Sequence, residues 1–84
     1  MYGFFDGVRD DWPQDDVVYL GKMVGRFRRH IGCTTRQAAE LIGVPWRTLE
    51  YIEQGRGFRY PVMLMNSMIY AAQQHDEKQH KQST

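Results

Sequence analysis

The chain has 84 residues, 42% of them hydrophobic and 25% charged, with one cysteine and a formal net charge of +1. That is enough for one small domain with a single modest core, and it excludes a membrane span, because no apolar run is long enough. The near-neutral total hides a separation: from Met1 to Gly21 five acids stand against one base, while from Lys22 to Tyr60 eight bases, seven of them arginine, stand against three acids.

Residues 1–14 place Tyr2, Phe4, Phe5, Val8 and Trp12 among acids and glycines and end at Pro13. Disordered segments are poor in aromatics, so this is expected to be an arm that packs on the edge of its own core or on a partner subunit. Asp15 or Asp16 then caps a long helix at its positive end. Val17, Leu20, Val24, Phe27 and Ile31 recur every three or four residues as a core-facing stripe, widened by Met23. Lys22, Arg26 and Arg29 fall off that stripe, with Arg28 and His30 at its margins, and Gly32 ends the helix. His30 has no second ligand at a useful spacing and reads as a surface residue. Cys33 reads as a small, partly buried residue. A lone thiol cannot form an internal disulfide, and no basic-then-apolar leader opens the chain, so a cytoplasmic protein is expected.

The stretch Thr34–Gly57 reads as two short helices around a tight turn. Thr35 is the expected N-cap, with Ala38 in the place of the usual capping-box partner, so the cap should be plain. Ala38, Ala39 and Ile42 share the inner side of the first helix, and Gly43 supplies the positive φ that ends it. Val44 fills the corner. Pro45 opens the second helix, which runs to about Gln54 with Leu49 and Ile52 as its buried pair, and Gly55 is the next stop. The loop Gly55–Tyr60, GRGFRY, is either a plain connection with Phe58 or Tyr60 tucked into the core, or a phosphate clamp, or both.

Pro61 starts a final helix, expected to reach about Gln74. Val62, Met65, Ile69 and Ala72 form one apolar stripe, and Leu64, Met68 and Ala71 form another beside it. That perimeter exceeds what one small core needs, so Leu64, Met65, Met68 and Ile69 are expected to make a homodimer face. Residues 75–84 are polar, without periodicity, and expected to be disordered. The fold expected is thus all-α: a compact four-helix domain over residues 15–74, with an N-terminal arm and a polar tail.

The pattern of Thr35, Ala39, Gly43, Val44, Leu49 and Ile52, followed by IEQGR (Ile52 to Arg56), resembles the helix-turn-helix of the phage-repressor-like (lambda repressor-like) family. The likeness covers roughly Val17–Gln74. More narrowly, YLGKM, TRQAAELIGV and the Pro-led last helix are similar to the small anti-CRISPR-associated repressors of phages and mobile elements. In that family the alanine lets the two helices approach, the glycine makes the turn, and the last two apolar residues anchor the recognition helix. The resemblance implies a dimeric, sequence-specific DNA-binding regulator, most readily a repressor or autoregulator that acts by occupying an inverted-repeat operator in double-stranded DNA.

On that reading Trp46, Arg47, Glu50 and Tyr51 face base edges. Arg47 suits guanine O6 and N7, and Glu50 suits a cytosine amino group or orients an arginine. Trp46 and Tyr51 offer apolar surface to a thymine methyl or a sugar, with core packing as the other role for Trp46. Thr35, Arg36, Gln37, Arg56 and Arg59 are the expected contacts to the DNA backbone. A protein-binding module on the same fold, such as an antitoxin or a phage-encoded inhibitor gripping its partner with the aromatic arm, is the alternative. An enzyme is not expected, since no nucleophile–base–acid arrangement, metal cluster or phosphate-cradling loop stands out, and no cofactor is implied.

Overall fold

The computed structural model describes residues 12–82, and its regular elements are all helices, with no strand among the described residues: α1 (Val17–Ile31), α2 (Thr35–Ile42), α3 (Trp46–Glu53) and α4 (Pro61–Gln82). Asp16 is the cap of α1, its Oδ1 accepting the Tyr19 N–H at 3.0 Å. Just ahead of it, Trp12 stacks on Tyr19 with ring centroids 6.0 Å apart and packs against the core. The rest of the aromatic arm lies outside the described residues.

Leu20, Met23, Val24 and Phe27 of α1 are fully buried, as the stripe requires. Val17 is not: it is 40% exposed, because the first turn projects past the core toward Gly57. The same helix buries Gly21 and Gly25. A Cβ on Gly21 would stand 2.6 Å from the Ile52 carbonyl oxygen and 3.0 Å from that of Glu53. An interior helical glycine costs about 1 kcal/mol relative to alanine, and here it lets the backbone at the end of α3 rest directly on α1.

The N-cap of α2 is Thr34, one residue earlier than expected, and the capping box is complete. Thr34 Oγ1 accepts from the Gln37 N–H at 3.2 Å, and Gln37 Oε1 accepts from the Thr34 N–H at 2.9 Å. Shifting the cap by one brings Gln37 rather than Ala38 to the third helical position. Gly43 then turns the chain at φ 91°, and its N–H and that of Val44 both bond the Ala39 carbonyl. Pro45, extended rather than helical, serves as the cap of α3.

The last helix corrects two expectations. It runs eight residues past Gln74, because no glycine or proline interrupts it and Gln, Glu and Lys are good helix formers. Part of the tail read as disordered is therefore helix. Asp76 there contacts His30 at the end of α1, Nε2 to Oδ1 at 2.7 Å. Second, Leu64, Met65 and Met68 are at most 1% exposed within the single chain, so these three residues of the expected dimer face are core. A four-helix core reached from both α1 and α2 absorbs more of the α4 perimeter than one facing helix would. Ile69 is half-buried, and the apolar residues left outside are Val62, Met63 and Tyr70.

Packing follows a simple scheme. Helices α1 and α2 each pack on both α3 and α4, whose backbones stand further from each other across the shared core. Phe27, Leu49, Ile52 and Met68 fill the centre. Among the described residues no helix is long and apolar enough to cross a membrane.

Candidate nucleic-acid interface

The short helix α3 is fixed from within by Leu49 and Ile52, both wholly buried, and at its end by an ion pair. Arg28 Nη2 and Nε reach Glu53 Oε1 at 2.6 and 2.8 Å, joining the last turn of α1 to that of α3. A carboxylate at a helix C-terminus meets the negative end of the helix dipole, and the guanidinium offsets this. Arg28, at the margin of the core-facing stripe, is thereby engaged in the fold. Gly21 belongs to the same fastening and was missed by periodicity. Its signal was the pair of glycines four apart inside an otherwise good helix.

With Leu49 and Ile52 turned inward, Arg47, Glu50 and Tyr51 are exposed together on the opposite side. They line a shallow cleft of about 210 Å³ with Trp46. Trp46 is only half-buried and packs its apolar surface against the core, so the two roles weighed for it are not exclusive. The Arg36 guanidinium carbon lies over its ring at 4.5 Å from the centroid and that of Arg47 at 5.5 Å. Next along the surface, Arg56 lies over the Tyr51 ring at 5.2 Å. Glu50 Oε1 meets Gln54 Nε2 at 3.5 Å, a long contact that leaves the carboxylate open to solvent.

The residues assigned to a DNA backbone scatter more. Arg36 and Gln37 are exposed at the start of α2, Arg36 reaching Trp46 just past the turn, while Thr35 is half-buried. The Gln37 carbonyl oxygen is engaged by the cap, which leaves its amide N–H groups to donate outward. Arg56 and Arg59 are exposed in the loop, and of the two loop aromatics Phe58 packs on the core whereas Tyr60 is 53% exposed.

Two further groups carry less chemistry. Burial pushes the Cys33 thiol above its ordinary range, and the Arg28 charge nearby offsets this only in part. A protonated, half-buried thiol is a poor nucleophile. Among the described residues no three His, Cys, Asp or Glu side chains converge as a metal site would require. Comparison with protein families, with known proteins and with solved structures finds no match to this chain.

Proposed function

We propose that this protein is a sequence-specific DNA-binding regulator, acting as a homodimeric repressor of the phage-repressor-like kind, and that α3 is its recognition helix. The observation that carries the reading is the outward side of α3. Arg47, Glu50 and Tyr51 stand exposed on a helix held rigidly from behind, flanked by Arg36 and Arg56. Such a face offers a forked donor, an acceptor and apolar edges, the three contact types that distinguish base pairs in a major groove. Arginines at its rim answer the phosphates on either side.

Association into a dimer falls to the outer side of α4. Helical spacing puts Val62, Met63, Ile69 and Tyr70 around Asn66 and Gln73 on one side, and Met63 and Tyr70 are 56% and 65% exposed. Light scattering of Met63→Glu against the parent measures this directly, with a mass near one chain expected for the variant and near two for the parent. Selection of duplexes from a random pool tests the DNA reading. Enrichment of an inverted repeat is expected. A pool that stays random, together with copurification of a host protein, would instead favour the antitoxin or inhibitor reading.

A further inference from the structure

We infer that Trp46 is a positioning residue that sets Arg36 and Arg47 relative to each other, so that a backbone contact and a base contact are made as one unit. The inference rests on the DNA-binding reading and deepens it. Trp46 is the first residue of α3, follows Pro45, and presses its apolar surface on the core. The place of the indole is therefore fixed by the fold. Arg36 comes from the first turn of α2 and Arg47 from the first turn of α3, on either side of the Gly43 turn.

Both guanidiniums nonetheless lie over this one ring, no further apart than their two ring distances, 4.5 and 5.5 Å, added together. Two like charges on one ring repel, weakly where water screens them, and among the described residues neither has an acidic partner to relieve it. A π face attracts each cation and limits its rotamers. What the indole cannot do is neutralise them. A strand of phosphates does so, and it arrives at two arginines already aimed. The ring itself, with cations over it and core behind it, is poorly placed to stack on a base. Its role lies in what it holds.

A role in packing alone predicts something different. Leucine at 46 keeps apolar volume without a π face, whereas phenylalanine keeps a smaller π face. Affinity at fixed salt for the selected duplex and for a scrambled duplex of the same length is measured for both variants, with thermal melting to confirm folding. Trp46→Leu should weaken the selected duplex by about tenfold and narrow its advantage over the scrambled one, while Trp46→Phe should stay within about threefold of the parent. In an Arg47→Ala background Trp46→Leu should cost less than it does in the parent, because one of the two groups it positions is gone and only Arg36 is left to lose its place. Should Trp46→Leu prove unfolded, the Arg36→Ala and Arg47→Ala cycle on intact Trp46 replaces it, with non-additive losses expected. A folded Trp46→Leu that binds and ranks both duplexes as the parent does, or strictly additive losses in either cycle, overturns the positioning role while leaving the DNA reading standing. A parent protein that binds neither duplex overturns both.

Discussion

On the side of α3 that meets α1, Arg28 grips Glu53 through contacts of 2.6 and 2.8 Å, whereas on the outward side Arg36, Arg47 and Arg56 lie over aromatic rings. Among the described residues none of the last three is paired with an acid. An arginine neutralised by a carboxylate acts as a fastening between helices. One laid on a ring loses freedom but keeps its charge, and so remains available to an anion. The residue type is the same, and the neighbour decides its use.

The largest effect is expected where the inner side is tightest. Gly21→Ala should lower the unfolding free energy by about 3 kcal/mol, because the new methyl meets the Ile52 carbonyl and α1 and α3 must part. Urea denaturation reads this, and an unchanged midpoint would mean that the approach of the two helices has slack. Next comes the fastening itself. Arg28→Ala should cost roughly 2 kcal/mol by stranding a half-buried carboxylate, and Glu53→Gln in the same chain should recover part of the loss.

The outer side should respond the other way round. Arg47→Ala should leave stability within about 0.5 kcal/mol of the parent. Its cost should appear in discrimination, roughly 1–3 kcal/mol at one base pair of each half-site, read by competition among single-base variants. A variant that ranks those duplexes as the parent does would move Arg47 from base to backbone. Smallest of all, Arg59→Ala should keep the ranking and flatten the slope of log affinity against log salt by roughly 0.9 for each phosphate no longer neutralised. A change in ranking there would show that the loop reads sequence.

Four helices and their core were legible because Leu20, Val24 and Phe27, then Leu49 and Ile52, recur at helical spacing and are buried as that spacing requires. The turn was legible from Gly43, Val44 and Pro45 in succession. Caps were harder, since Thr34 and Thr35 offer the same hydroxyl, and only the reach of Gln37 back to Thr34 decides between them. Sequence also overstated the surplus on α4. Periodicity says which residues share a side but not how many helices cover it, and here two neighbours bury Leu64, Met65 and Met68. The end of α4 was read from polarity, while helix propensity carried it on. Trp46 was legible as a residue of the outward helix, but the convergence of Arg36 and Arg47 on it joins two helices and has no one-dimensional signature.

The backbones of α3 and α4 stand further from each other than from those of α1 and α2, with one shared core between them. Any strain raised at the outer side of one must cross a packed layer before it is felt by the other. Substitution at Met63 or Tyr70 should therefore leave the geometry of Arg47 and Glu50 in place, and changes at those two should leave the α4 surface as it was. Sequence on either surface is thus free to diverge without carrying the other along.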